Sequence, residues 1–198
     1  MEDKKVLTGT SLVGGSVNYE RVENDFYATD PNSVRDLLDI YSISGNCFYE
    51  PCCGQGHIAK VLKEYYPDAK HYATDLIDRG YGVGDIDFLT HNFDDKVDWI
   101  ITNPPYSLAK EFVDKSLSIT NKGVAMFLKI QFLEGQARRD WFKETPLKYV
   151  YVFSKRQDPL RDGQALNPKT GKKWGSTMCF SWFIWEHNYN GEPIIRWI

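Results

Sequence analysis

Apolar residues follow two different spacings between residues 30 and 143. Short continuous apolar runs, which are typical of buried strands, cover residues 47–50, 70–74, 97–102 and 123–132. Around them, apolar residues recur every three to four positions, the spacing of an amphipathic helix, over residues 31–41, 58–65, 107–120 and 134–143. Asp30 and Pro31 begin the first helix as N-cap and first-turn proline. This alternation predicts an α/β fold with a parallel sheet covered on both faces.

The last part of the chain has a different pattern. Two apolar runs, 149–153 and 179–185, have no helical pattern between them, so we predict that they pair antiparallel at an edge of the sheet. The connection 154–177 is basic and rich in glycine and proline, and loops of this length are usually functional or disordered. Residues 1–25 are polar and are predicted to form a flexible arm. A single domain is expected over residues 26–198.

Composition adds limits on location and metal content. The chain has 198 residues, of which 42% are hydrophobic, and this suits one soluble domain. No apolar run approaches the ~18 residues of a membrane span, and no secretory signal is evident. We therefore expect a cytoplasmic protein that does not bind a membrane. No two of the four cysteines form a CxxC pair and the four histidines are scattered, so no metal site is predicted.

Charge is distributed unevenly along the chain. Residues 1–100 contain 9 Lys and Arg against 18 Asp and Glu, whereas residues 101–198 contain 15 against 9. The positive second half is compatible with a surface that binds a polyanion. Uneven solvation of an ordinary surface explains the same counts, and charge alone leaves both interpretations open.

Candidate ligand-binding residues follow the first two strands. Glu50 ends the first strand, and the turn after it contains Gly54 and Gly56, whose backbone can approach a ligand closely. Asp75 follows the second strand, where a carboxylate can accept hydrogen bonds from two ribose hydroxyls. A plain tight turn and a helix N-cap are the alternative interpretations of these glycines and of Asp75.

Asn103-Pro104-Pro105-Tyr106 follows the strand at 97–102 and is the most informative tetrapeptide in the chain. Two prolines remove two backbone donors and stiffen the turn. The Asn103 side-chain oxygen and the Pro104 carbonyl are therefore candidate acceptors for the two hydrogens of an exocyclic NH2. Tyr106 offers a flat face to a planar group. This arrangement predicts a site that directs an amino nitrogen at a methyl donor.

Together these motifs resemble class I S-adenosylmethionine (SAM)-dependent methyltransferases, most closely the adenine-N6 type and its small phage-encoded or prophage-encoded members. The resemblance covers roughly residues 25–186 and is most specific at residues 26–31, 48–56, 75, 87–88 and 103–106. It implies a Rossmann-like seven-stranded sheet whose last strand is antiparallel. The family usually has proline where Asp30 stands.

The same resemblance assigns roles to individual residues. The methionine part of SAM is expected at Phe26, Tyr27, Thr29, Glu50, Gly54 and Gly56. Asp75 is expected at the ribose, and Asp87 and Phe88 at the adenine ring. Pro51 and Leu76 are also expected to bind the cofactor. Asn103 is expected to touch both the cofactor and the target, and Pro104, Pro105 and Tyr106 to hold the target nitrogen.

The source of sequence specificity is a separate question. Methyltransferases of this type usually carry a large target-recognition domain after the catalytic one, and we expect none here. Phosphate contacts are expected from the basic residues Lys155, Arg156, Arg161, Lys169, Lys172 and Lys173. The arm, a homodimer or a specificity-providing partner are the other candidate sources.

Methylation of adenine N6 in nucleic acid, DNA more than RNA, is the function these features favour. Methylation of a protein glutamine is an alternative, because its amide NH2 poses the same geometric problem. A third hypothesis is a non-catalytic SAM-binding subunit.

Overall fold

The structure, a computed structural model, describes residues 27–157, 160–161, 163–168, 170–172 and 178–198. Its strands are β1 (Tyr27–Ala28), β2 (Cys47–Glu50), β3 (Lys70–Ala73), β4 (Val97–Thr102), β5 (Thr120–Lys129), β6 (Leu147–Val152), β7 (Leu160–Arg161), β8 (Phe180–Glu186) and β9 (Ile194–Trp197). Its helices are α1 (Pro31–Ile40), α2 (His57–Tyr65), α3 (Ala109–Ile119) and α4 (Gln136–Glu144). The arm predicted over residues 1–25 lies outside the described residues.

Seven strands form one mixed sheet in the order β3-β2-β4-β5-β8-β6-β9. β8 is antiparallel to both of its neighbours, β5 and β6, and every other pairing in this sheet is parallel. The predicted mostly parallel α/β sheet with an antiparallel pair late in the chain is therefore confirmed. The pair does not end the sheet, because β9, which the sequence did not predict, adds one more parallel strand beside β6.

Helices cover both faces of this sheet, as predicted. On one face α1 and α2 bury Val34, Leu37, Ile58 and Leu62 against β2, β4, β5 and β8. On the other face α3 buries Phe112 and Val113, with residues of α4 packed at the margin. Trp182 and Trp185 on β8 are fully buried, one in each of these cores. The longest described helix, α3, has 11 residues, and no described helix could cross a membrane.

Three predicted boundaries need correction around the middle of the chain. β5 ends at Lys129, and residues 130–132, predicted as strand, lie in a 3-10 turn over Ile130–Leu133. The paired residues of β5 and β8 end at Lys129, and a last hydrogen bond joins the Ile130 N–H to the Cys179 carbonyl before the 3-10 turn. The helix predicted at 107–120 begins with a 3-10 turn and is α-helical only over α3, because β5 starts at Thr120. The helix predicted from residue 134 starts at Gln136.

Candidate active site

The motifs identified in the sequence lie at the carboxyl ends of three neighbouring strands. β3, β2 and β4 are adjacent in the sheet. Asp75 follows the first, the glycine turn 51–56 follows the second, and Asn103 follows the third. Ligands in open parallel sheets bind beyond this edge, where the loops converge. The topology therefore gathers the predicted residues on one side of the molecule.

Glu50 ends β2 with a buried carboxyl group. One of its oxygens accepts a hydrogen bond of 2.7 Å from the Ala59 N–H, in the first turn of α2. Burial raises the pKa of the Glu50 carboxyl well above its ordinary value, the Ala59 N–H lowers this pKa, and nearby Asp75 raises it again. A cation beside the carboxylate would favour its charged form. Glu50 is therefore suited to hold a ligand ammonium.

Asp75 fastens the glycine turn to the loop after β3. Its two carboxylate oxygens accept hydrogen bonds of 2.8 Å from the Gly54 N–H and 3.0 Å from the Ile77 N–H. No helix follows in this loop, so capping does not explain the carboxylate. A carboxylate has about four lone-pair sites. Two of them therefore remain for donors such as the hydroxyls of a ribose.

Gly56 makes a contact that the sequence did not reveal. It has a φ of +80°, and a Cβ built on it would lie 2.6 Å from three atoms of the Tyr81 ring. The Nζ atoms of Lys60 and Lys63 lie 5.2 Å and 5.7 Å from the centroid of the same ring. Tyr81 belongs to an irregular loop, where no apolar period marks a contact. The space left by the absent side chain at Gly56 is filled by Tyr81.

The Asn103 side chain is oriented by a hydrogen bond to β1, the first described strand. Its Nδ2 donates a hydrogen bond of 3.0 Å to the Tyr27 carbonyl in β1. The amide is thereby oriented with its Oδ1 as an acceptor. Among the described residues no backbone N–H donates to the Pro104 carbonyl, whereas the Pro105 carbonyl accepts from the Leu108 N–H at 2.9 Å. The turn thus presents two acceptors, the Asn103 Oδ1 and the Pro104 carbonyl.

Tyr106 starts the 3-10 turn beside these acceptors. Its ring centroid lies 6.0 Å from that of Phe180, and the Nζ of Lys129 lies 4.7 Å from the Tyr106 ring centroid. Burial raises the pKa of the Tyr106 hydroxyl, the Asn103 side chain lowers it, and Tyr27 raises it again. The pKa of the Tyr106 hydroxyl is raised overall, which keeps the phenol neutral, so Tyr106 presents an uncharged ring.

A pocket separates Asn103 and Tyr106 from the start of α1. It is lined by residues 27–30, Ser33, Asn103, Tyr106, Phe127, Gln157 and Phe180. The Thr29 side chain in this pocket is buried, and its hydroxyl has no hydrogen-bond partner among the described residues. A buried, unsatisfied hydroxyl costs about 1–3 kcal/mol. Thr29 is therefore a group that a ligand could satisfy.

The basic connection between β6 and β8 is tied to this pocket. β7 pairs antiparallel with β1, so Leu160 and Arg161 lie opposite Ala28 and Tyr27. The Ser33 hydroxyl also donates to the Gln157 Oε1 at 2.6 Å. Strands of two residues are too short to show a period, so this pairing could not be predicted from the sequence.

The proposed nucleic-acid residues of this connection are only partly described. Lys155, Arg156 and Lys172 are exposed. Arg161 is described only in its backbone, and Lys169 and Lys173 lie outside the described residues. Phe26, expected at the cofactor, also lies outside them.

The residues expected at the adenine and ribose lie in the loop between β3 and β4. Asp87 is exposed and accepts a hydrogen bond of 3.0 Å from the Leu89 N–H. The Phe88 ring is buried, with its centroid 5.0 Å from that of Phe112. Leu76 is exposed, whereas Pro51 is buried in the glycine turn. Asp87 and Leu76 are thus accessible to a ligand, and Phe88 is packed mainly into the core.

Solved structures share this fold although sequence comparison finds no relative. The sequence matches no protein-family model and no curated protein. One neighbour is the methyltransferase subunit of a type I restriction-modification system from Streptococcus thermophilus. Its sequence is 13% identical to this chain, and the two structures match with a TM-score of 0.62 over 86% of this chain and 47% of that chain. This chain therefore spans about half the length of that subunit.

Two further neighbours cover more of their own length. A putative RNA methyltransferase from Pyrococcus horikoshii is 14% identical, with a TM-score of 0.56 over 81% of this chain and 85% of that one. The other is a magnesium protoporphyrin IX methyltransferase from Synechocystis, solved with bound SAM. Its sequence is 11% identical to this chain, with a TM-score of 0.50 over 78% of this chain and 76% of that one. At these identities the likeness shows the fold, a Rossmann-like α/β fold shared with class I methyltransferases.

Proposed function

We propose that this protein transfers a methyl group from SAM to the exocyclic N6 of adenine in nucleic acid, DNA more than RNA. One observation carries the proposal. The Asn103 amide is oriented by the Tyr27 carbonyl, which leaves the Asn103 Oδ1 and the Pro104 carbonyl as two acceptors beside the Tyr106 ring. An exocyclic NH2 on a planar ring has the two hydrogens and the flat face that this turn matches.

The residues at the neighbouring strand ends fit SAM as the cofactor. The buried Glu50 carboxyl, whose pKa is raised by burial, suits the ammonium of the methionine part. Thr29 has a buried hydroxyl without a described partner, which a polar group of the same part would satisfy. Asp75 retains lone pairs for the ribose hydroxyls after its two backbone hydrogen bonds. Asp87 and Leu76, with Phe88 behind them, would border the adenine.

The chain's own residues would position the acceptor for a direct displacement. Bound SAM supplies a methyl group activated by a sulfonium. Asn103 and Pro104 accept the two N–H hydrogens, which increases lone-pair density on the nitrogen and holds its direction. In such a transfer the C–N bond would form as the C–S bond breaks, with S-adenosylhomocysteine as the leaving group and one amino proton passing to water. Such positioning is a large source of rate in bimolecular reactions.

The basic second half of the chain favours nucleic acid as the carrier of this amine. Lys155 and Arg156 are exposed and directly precede Gln157, which lines the same pocket as Asn103 and Tyr106. Two of the structural neighbours are a restriction-modification methyltransferase subunit and a putative RNA methyltransferase. An adenine in a duplex would have to leave the stack to reach this pocket. The restriction-modification neighbour is itself a subunit of a larger system, and a partner that supplies specificity belongs to the proposal.

Methyl transfer from labelled SAM tests the function directly. The protein is incubated with separate pools of DNA, RNA and protein, and label is counted in each pool. We expect label in DNA that digestion identifies as N6-methyladenine. Label only in RNA would move the substrate to RNA, and label only in protein would replace adenine by glutamine. SAM binding without transfer to any pool would favour a non-catalytic subunit.

A further inference from the structure

A polar groove lies at the end of α1, whereas the pocket lined by Asn103 and Tyr106 (the reaction pocket) lies at its start. The helix has 10 residues, a length of about 15 Å. The groove has a volume of about 440 Å³, within the range of ligand sites. Its lining includes residues 40–42, three residues of β6 (Lys148, Tyr149 and Tyr151) and Arg196 of β9.

Tyr151 brings a hydroxyl group without a partner to this groove. The residue is 4% exposed, and its hydroxyl makes no hydrogen bond within the described part of the chain. Burial raises the pKa of this hydroxyl, nearby Tyr149 raises it further, and Arg196 lowers it. Because the pKa is raised overall, the hydroxyl stays protonated and can donate. An acceptor on a ligand would satisfy it.

Arg196 supplies a positive charge beside this hydroxyl. It lies opposite Tyr151 in the parallel pairing of β6 and β9, so the two side chains project to the same face of the sheet. Its Cζ lies 5.5 Å from the Tyr149 ring centroid, and no salt bridge among the described residues includes it. The other cation, Lys148, is neutralised by Glu186 at 2.9 Å. The groove therefore offers a guanidinium and a hydroxyl to an anion.

One row of paired residues crosses the sheet from the reaction pocket to this groove. Phe127 of β5 lines the reaction pocket and pairs with Trp182 of β8. Trp182 also pairs with Tyr151, which pairs with Arg196. Neighbouring strands lie about 4.8 Å apart, so three spacings separate Phe127 from Arg196 by roughly 14 Å. The two sites are thus distinct but close enough for one extended ligand.

A basic stretch of chain joins the two sites. Ser154 follows β6, and its N–H and hydroxyl donate to the Ile198 carbonyl just after β9, at 2.8 Å and 2.9 Å. Lys155 and Arg156 come next and are exposed, and Gln157 lines the reaction pocket. A polyanion that passes over this stretch can therefore occupy the reaction pocket and the groove together.

We propose that Arg196 and the Tyr151 hydroxyl bind a phosphodiester of the strand that carries the target nucleotide, at least about four nucleotides away from it at 3.4 Å per nucleotide. The planar guanidinium fork matches the geometry of a phosphate, and tyrosine hydroxyls donate to phosphates. Such contacts fix the position of a nucleic acid without reading its sequence. The inference rests on the function proposed above and adds an anchor remote from the reacting amine. An acidic protein segment would offer carboxylates to the same donors, but the basic stretch that leads to the reaction pocket favours nucleic acid.

Binding of a short and a long oligonucleotide tests this anchor. Both are centred on the same adenine, with three or twelve nucleotides on each side, so that only the long one reaches the groove. Affinities are measured with saturating S-adenosylhomocysteine over a range of salt concentrations. Arg196→Met should weaken binding of the long oligonucleotide about five- to tenfold at 0.1 M salt and reduce its slope of log K against log salt by about 0.7–0.9, the contribution of one phosphate. Binding of the short one should not change.

Lys70 provides the matched control. Its Nζ lies 4.8 Å from the Tyr72 ring centroid on β3, at the opposite edge of the sheet from β9. Lys70→Met therefore removes one positive charge from a similar ring contact, and it should leave the binding of both oligonucleotides unchanged. Tyr151→Phe keeps the ring and should weaken binding of the long oligonucleotide alone. Unchanged thermal unfolding and unchanged SAM affinity of Arg196→Met show that the fold is intact.

The outcomes separate this inference from the proposed function. Equal weakening of both oligonucleotides by Arg196→Met, or weakening of neither, would overturn the inference while leaving methylation of nucleic acid in place. Poly-glutamate that binds the wild type but not Arg196→Met, with binding of the long oligonucleotide unaffected, would assign the groove to an acidic protein and likewise overturn it. A wild-type protein that methylates no nucleic acid would instead overturn the proposed function, and the inference with it.

Discussion

Gly56 and Gly80 form a matched pair that tests how Tyr81 packs on the glycine turn. Both have a φ of +80°, but a Cβ on Gly80 meets nothing within 4 Å, whereas a Cβ on Gly56 would lie 2.6 Å from the Tyr81 ring. Alanine in this left-handed conformation costs about 1–2 kcal/mol, and this should be the whole effect of Gly80→Ala. Gly56→Ala should cost roughly 1–3 kcal/mol more, because the ring must be displaced.

Equilibrium urea unfolding of the two variants measures this difference. Thermal unfolding provides a check, since each kcal/mol should lower Tm by about 2–4 °C in a domain of this size. In a Tyr81→Ala background the cost of Gly56→Ala should fall to that of Gly80→Ala, because the ring is gone. Equal costs of the two glycine substitutions in the wild-type background would show that Tyr81 does not rest on the turn.

Three further substitutions test the candidate site. Asn103→Ala removes an acceptor that acts on the reacting amine, so the rate of methyl transfer should fall about 10²–10³-fold or more. The affinity for SAM, measured by calorimetry, should stay near the wild-type value. An equal loss of rate and affinity would place Asn103 in cofactor binding alone. Glu50→Gln should stabilise the cofactor-free protein at pH 7 relative to wild type and not at pH 4, because folding raises the pKa of the Glu50 carboxyl and the wild-type protein therefore loses stability as pH rises through that pKa. The variant should also bind SAM more weakly. A stability difference independent of pH would contradict this reasoning. Thr29→Val replaces a buried hydroxyl without a described partner. It should therefore raise the stability of the cofactor-free protein by about 1 kcal/mol and weaken SAM binding. A loss of stability would instead indicate that the hydroxyl has a partner.

The main sheet and its helices could be predicted because their signals are local. α1 and α2 each bury an apolar stripe at helical spacing, and β2 and β4 are short, mostly buried runs. The elements that were missed lack such signals. β1 and β7 have two residues each, which is too few to show a period. β9 has four residues, is exposed along its whole length and lacks the alternation of apolar and polar residues that marks a half-buried strand.

The candidate site likewise combines features that a local motif predicts with contacts that it does not predict. Asn103-Pro104-Pro105-Tyr106 carries its acceptors and its ring within four residues, so the sequence alone identifies it. The bond that orients Asn103 joins it to Tyr27, 76 residues earlier. The contact of Lys129 with Tyr106 likewise depends on β5 lying next to β4 in the sheet. Long-range contacts of this kind leave no periodic trace in the sequence.

The attachments of α1 determine the order in which the pocket can be completed during synthesis. Ser33 donates to Gln157, 124 residues later, and its carbonyl accepts from the Trp182 Nε1, 149 residues later. A ribosome adds about 5–20 residues per second, so β8 is made roughly 7–30 seconds after Ser33. Until then α1 can pack on α2, but the pocket still lacks Gln157 or Phe180. The pocket is therefore among the last parts of the molecule to form, although it begins with the first described strand.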